Sequence, residues 1–265
     1  MREHFGNIEY LYGNASVQMP NGIFRKLSEE IKNKRGSTNI QQVAFAYVYL
    51  AVVSILYKYA HFVDVDNGTY IQNSDIKELL GYNRTTKSID KIIKKGGVLD
   101  ELGLTLTTKD YPIRFEEHPT ETINEICLRD FVGISEIDAN YYNYNRIANI
   151  VKNRNYEVKE PLFLTTEYDN NDYGTLYSME NTHQIRLREL LCLLFDVETN
   201  NIDIMLYFFF KAKCKGFKED MRSIALYKII LEIGIDKSAF YNHLNILKEK
   251  GYISVVHKGW KMPTE

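Results

Sequence analysis

Between Ile224 and Trp260 (IALYKIILEIGIDKSAFYNHLNILKEKGYISVVHKGW) two helical patterns stand one short turn apart, and this constrains the fold more than any other stretch. Leu226 to Ile233 reads as a short apolar helix, ended by Gly234, which can take the left-handed conformation that stops a helix. Ile235 follows as a buried turn residue, and Asp236 is placed to cap the next helix. From Lys237 to about Lys250, Phe240, Leu244 and Leu247 recur at i, i+4 and i+7 and so share one face. The opposite face carries Ser238, Tyr241, Asn242, Asn245 and Lys248, side chains able to hydrogen-bond base edges and phosphates. Gly251 closes the helix. Tyr252 to Val256 then reads as a strand, His257-Lys258-Gly259 as a tight turn and Trp260 to Met262 as a return strand.

The segment resembles the winged helix-turn-helix superfamily of DNA-binding proteins. Members carry an L-G-(I/V)-(S/D) turn, a helix of the form xSTVxxHLxxLxxKGLI, then a β-wing. The counterparts are Glu232-Ile233-Gly234-Ile235-Asp236, Ser238 through Leu247, and Lys250-Gly251-Tyr252-Ile253. Ala239 departs from the pattern where threonine or serine is common, and the wing is short. The resemblance implies that Lys237 to Lys248 enter a major groove while His257 and Lys258 touch the DNA backbone.

A second copy of this order lies between Asn67 and Glu117. Asn67-Gly68 is a turn signal, Thr69 to Gln72 a short strand, and Ser74 caps a helix through Leu80. Gly81-Tyr82-Asn83 makes a turn like Gly234-Ile235-Asp236, and a second helix starting near Thr85 or Thr86 turns Ile89, Ile92 and Ile93 inward. Its outer face is basic: Arg84, Lys87, Lys91, Lys94 and Lys95 against Asp90 give a local net of +4, a cluster suited to phosphates. Leu104 to Thr108, Lys109-Asp110 and Tyr111 to Phe115 read as strand, turn, strand, a second wing, although Gly96-Gly97 interrupts the preceding helix. Each helix-turn-helix follows an apolar helix, Gln41 to Tyr59 or Ile202 to Lys213, which suggests an imperfect internal duplication. Tandem winged helices resemble the replication initiators of plasmids and phages.

The expected fold is therefore mainly α with small β-wings: two winged-helix units joined by a helical middle section. Expected boundaries are an N-terminal extension (1–40), an N-terminal unit (41–118), the middle section and linker (119–172) and a C-terminal unit (173–265). In the middle, Leu128 to Phe131 and Tyr141 to Val151 read as helical, with Lys152-Asn153-Arg154 adding to a phosphate-binding track. His183 to Phe195 is expected as a helix opening the last unit.

Composition sets the limits. A net charge of −2 withholds the whole-chain basic balance that often accompanies nucleic-acid binding, so the DNA reading rests on local charge. Cys127, Cys192 and Cys214 are far apart and odd in number, and no histidine pair has metal-ligand spacing; neither a metal nor a cofactor is expected. There is no GxxxxGK[ST] loop and no GxSxG elbow, so no enzymatic activity is expected. His61 to Gly68 is better explained as a turn entering a strand than as a calcium loop. No signal peptide or membrane span is read, which places the chain in the cytoplasm. The expected partner is double-stranded DNA, bound by a homodimer with no membrane and no small-molecule ligand. A transcriptional regulator leads, a replication initiator follows, and a winged-helix adaptor that binds only protein is the third reading.

Overall fold

The computed structural model describes residues 2–36, 39–65, 67–113, 122–123, 126–127, 132–137, 144–164, 166–167, 173–174, 180–214 and 224–256. The N-terminal half contains α1 (Arg2–Tyr12), β1 (Ser16–Pro20), α2 (Ile23–Arg35), α3 (Ile40–Lys58), the hairpin β2 (Val63–Asp64) and β3 (Thr69–Tyr70), α4 (Asn73–Leu79), α5 (Asp90–Ile93), α6 (Val98–Glu101), β4 (Thr105–Thr108) and β5 (Pro112–Ile113). The middle holds β6 (Thr122–Ile123), β7 (Ile126–Cys127), β8 (Val132–Gly133), a 3-10 turn (Ile134–Glu136), α7 (Tyr144–Ile150), β9 (Val158–Pro161), β10 (Thr166–Glu167) and β11 (Tyr173–Gly174). The chain continues with β12 (Thr182–Arg186), α8 (Leu187–Leu194), α9 (Asn201–Cys214), α10 (Leu226–Ile233) and α11 (Lys237–Glu249). It is mainly helical, with short strands in two-stranded ladders.

The core is organised by α3. Its sequence is apolar on every side, so no face prefers water, and every residue from Gln42 to Lys58 is buried. Among the described residues it is the one helix long and apolar enough to cross a membrane, yet here protein surrounds it: α2, α9, β1 and β9 all pack on it. Each large apolar side chain buried there contributes roughly 1.5–3 kcal/mol. Its polar atoms find specific partners. Tyr47 Oη lies 2.7 Å from His183 Nε2, Tyr49 Oη donates to Asn73 Oδ1 at 2.5 Å, and Lys58 Nζ donates to the Ser16 carbonyl at 2.8 Å.

Residues expected to be an N-terminal extension supply α1, β1 and α2. β1 pairs antiparallel with β12, Gln18 opposite Gln184, so the start of the chain joins the segment that opens the last third. Each strand leads through one helix (α2 or α8) to a long apolar helix (α3 or α9), and α3 packs on α9. One continuous hydrophobic core runs through both halves.

Several local expectations need correcting. His183 to Arg186 is strand rather than helix, because it completes the ladder with β1. The cap of α4 is Gln72, whose N–H donates to Asp75 Oδ2 at 2.8 Å, and not Ser74. Strands form at 105–108 and 112–113 but not as a wing: β4 pairs with β9 and β5 with β8. Lys109-Asp110 lacks the glycine that a tight hairpin turn favours, and Asp110 instead accepts from the Ser135 N–H at 2.9 Å. Among its described residues the middle section holds short strands, a 3-10 turn and the helix α7. Tyr252 to Val256 forms no strand. The N–H groups of Tyr252 and Ile253 both return to the Leu247 carbonyl (2.9 and 3.3 Å), closing α11 behind Gly251 at φ +73°. Residues 128–131, and 257–262 with His257 and Lys258, lie outside the described residues.

Candidate nucleic-acid interface

The C-terminal pair of helices is built as its local sequence dictates. Gly234 ends α10 at φ +69°, its N–H donating to the Ile230 carbonyl. Asp236 Oδ1 then accepts the N–H groups of Ser238 and Ala239, both at 3.0 Å, and the Ser238 hydroxyl at 2.8 Å. Those hydrogen bonds hold the Asp236 carboxyl below the usual carboxylate range. Phe240, Leu244 and Leu247 are buried, while Lys237, Ser238, Tyr241, Asn242, Asn245 and Lys248 are all exposed on the outer side.

What orients α11 could not be read from its own sequence. His243 Nδ1 lies 2.8 Å from Oδ1 of Asp203, a carboxylate fully buried in the first turn of α9. The other oxygen of Asp203 accepts the Asn200 N–H at 2.9 Å, so one side chain caps α9 and grips the middle of α11. Beyond the helix, Tyr252 Oη donates to Asp196 Oδ2 at 3.1 Å, and Lys250 pairs with both Asp196 and Glu198. Lys250 is thereby committed within the fold.

The N-terminal half repeats the cap of this turn. Gly81 sits at φ +79°, and Asn83 Oδ1 accepts the Thr85 N–H (3.0 Å) and hydroxyl (2.9 Å), as Asp236 does from Ser238. Gly81-Tyr82-Asn83-Arg84-Thr85-Thr86 is thus the counterpart of Gly234-Ile235-Asp236-Lys237-Ser238-Ala239. The long helices agree: Asn39 caps α3 and Asn200 caps α9, and three residues later comes a buried polar side chain reaching the following unit. Gln42 Nε2 donates to the Ser88 carbonyl at 3.3 Å, in the place where Asp203 holds His243. This Asn-x-x-(Gln/Asp) spacing ahead of two apolar runs is visible in the sequence.

After the shared cap the halves diverge. The continuous basic helix expected from Thr85 onward is replaced by turns, the four residues of α5, and Gly96-Gly97 before α6. Side chains take carbonyls that a helix would use. Lys77 Nζ, nearly buried, donates to the Thr86 carbonyl at 3.0 Å and pairs with Asp90, while Gln42 takes Ser88. Gly96 is left-handed at φ +64°, and a Cβ on Gly97 would stand 2.6 Å from the Lys91 carbonyl oxygen, so the break requires glycine.

The basic residues sort accordingly. Arg84 is exposed but bound to Asp75 and Glu78, and these raise its pKa. Lys95 faces Glu157 at 3.8 Å. Lys87, Lys91 and Lys94 are exposed without a carboxylate partner among the described residues, and Thr85 is exposed beside them. Beneath them lies an unforeseen pair: Lys159, 1% exposed, donates to Asp100 Oδ1 (2.7 Å), Thr107 Oγ1 (2.6 Å) and the Lys94 carbonyl (3.1 Å). Nothing in the strand sequence Val158 to Pro161 marks that lysine as buried. An open cleft of about 830 Å³ lies between the β2–β3 turn and Arg146, Asn149, Ile150 and Lys152. Asn201 Nδ2 donates to the Leu80 carbonyl at 2.9 Å, tying the start of α9 to the end of α4.

No family model matches the chain, no curated protein matches it, and no solved structure matches it.

Proposed function

We propose that this protein binds double-stranded DNA sequence-specifically, without enzymatic activity of its own, through a C-terminal helix-turn-helix and the N-terminal segment that repeats its turn. One observation carries the reading: α11 turns six polar or basic side chains, Lys237, Ser238, Tyr241, Asn242, Asn245 and Lys248, outward from a rigidly capped and anchored helix. Asparagine side chains can read adenine edges in a major groove, and lysines neutralise phosphates. The unpaired lysines near the N-terminal copy of the turn supply sequence-independent attraction. Transcriptional regulation is the leading use. The duplicated Gly81 and Gly234 turns favour a second, plasmid- or phage-type replication initiation, because one chain then carries two heads and can engage two half-sites without a homodimer.

Fluorescence anisotropy with duplexes from around the protein's own gene, against scrambled duplex across a salt series, tests this. Tight, salt-dependent and selective binding is the expected result. The stoichiometry separates a dimer on a palindrome from a single chain on a repeat. Binding no better than to scrambled duplex, alongside capture of a folded protein partner, would replace the proposal with the adaptor reading.

A further inference from the structure

Resting on the DNA reading above, we infer that the turn Lys152-Asn153-Arg154-Asn155, outside both helix-turn-helix units, is a third element that contacts the duplex backbone. The turn is pinned at both ends. Ile147 is buried, the Val151 N–H donates to its carbonyl, and α7 ends there. Asn153 then closes a tight turn, its Oδ1 accepting the Asn155 N–H and its carbonyl the Tyr156 N–H, both at 3.0 Å. Tyr156 is buried and donates to the Ile71 carbonyl at 2.7 Å, fixing the exit of the turn beside the β2–β3 hairpin.

What projects from this scaffold is positive charge. Lys152 and Arg154 are exposed, and neither has an acidic partner among the described residues, whereas Arg84, Lys95 and Lys250 each have one. From Tyr144 to Tyr156 the sequence contains no acid. The turn also continues the basic surface already described. Glu157 reaches Lys95, and Lys159 in β9 holds the Lys94 carbonyl. Arg154 and Glu157 stand three positions apart in the chain, a span of at most about 11 Å. On this proposal a phosphate ladder passing Lys94 continues along the turn that carries Arg154 and Lys152. Two unpaired cations on a pinned turn suit such a ladder, because its contacts need position and charge but no base-specific geometry.

Anisotropy titrations of the full chain with a long scrambled duplex at several salt concentrations test the inference. Two lost phosphate contacts lower the slope of log K against log salt by about 1.8, at about 0.9 each, and raise Kd about 30-fold near 0.15 M salt. K152Q/R154Q should show that change with an unaltered melting temperature, and K152R/R154K should restore the slope. Wild-type binding with an unchanged slope in K152Q/R154Q would overturn the third contact and leave the DNA reading standing. Failure of the wild type to bind any duplex would remove both. Binding of poly-glutamate in preference to duplex would assign the turn to an acidic protein instead.

Discussion

Replacing Lys159 by methionine removes one ammonium from beneath the basic surface while keeping nearly all of the side chain's volume. In the native fold that ammonium satisfies Asp100, the Thr107 hydroxyl and the Lys94 carbonyl. Burial pushes the Asp100 carboxyl up, but hydrogen bonds from Lys159, Thr105 and Thr107 outweigh it and hold it below the usual range. Removing one partner of a buried pair costs about 3–5 kcal/mol. Asp100 keeps the Thr105 and Thr107 hydroxyls and the Gly96 N–H, so Lys159→Met belongs near the lower end, about 3 kcal/mol. At about 2–4 °C per kcal/mol for a chain approaching this size, the melting temperature should fall by roughly 6–12 °C. Asp100→Asn strands the buried ammonium instead and should cost more. The double variant should cost clearly less than the two singles together, since they share one interaction. Acid response supplies the sign check. A carboxyl depressed in the folded state stabilises above its unfolded pKa of about 3.9 and loses that contribution as pH falls through the folded value. Lys159→Met raises the folded value, so acid unfolding should begin at higher pH than in the wild type. Calorimetry on the four proteins would refute the reasoning if Lys159→Met melted within about 1 °C of wild type, or if the two single effects simply added.

Three other outcomes are expected. N242A/N245A should reduce discrimination between target and scrambled duplex more than overall affinity, whereas K91Q/K94Q should weaken binding to all sequences and flatten the salt slope; equal effects from both pairs would defeat this division of labour. Gly97→Ala drives a methyl into the Lys91, Ile92 and Lys94 carbonyl oxygens and should cost about 1–3 kcal/mol, while Gly96→Ala meets open space and should cost about 1–2 kcal/mol for its left-handed backbone; thermal melts of both decide it. His243→Ala leaves the buried Asp203 carboxylate one donor short, with an expected loss of about 1–3 kcal/mol and weaker selective binding; an unchanged melt would show that α11 is oriented by its apolar face alone.

The α10–Gly234–α11 unit was legible in the sequence because each signal acts within a few residues: apolar spacing sets the buried face, a left-handed glycine ends one helix, and Asp236 starts the next. The central helix was legible for a related reason, since a run apolar on every side has no face that favours water. Strand positions near 105–108 and 112–113 were also readable, but their partners were not. A hairpin is the nearest choice for two adjacent strands, and only tertiary packing sent them to β9 and β8. The same holds for the basic segment after Thr85. Its composition favours an exposed helix, yet Lys77 and Gln42, brought in from α4 and α3, take the carbonyls that helix needs, and two acids from α4 claim Arg84. The sequence therefore determined the elements whose hydrogen bonds close locally. Tertiary structure decided the β1–β12 closure, the Lys159–Asp100 and His243–Asp203 pairs, and which cations remain free, because each depends on groups dozens of residues apart meeting in a space from which water has been removed.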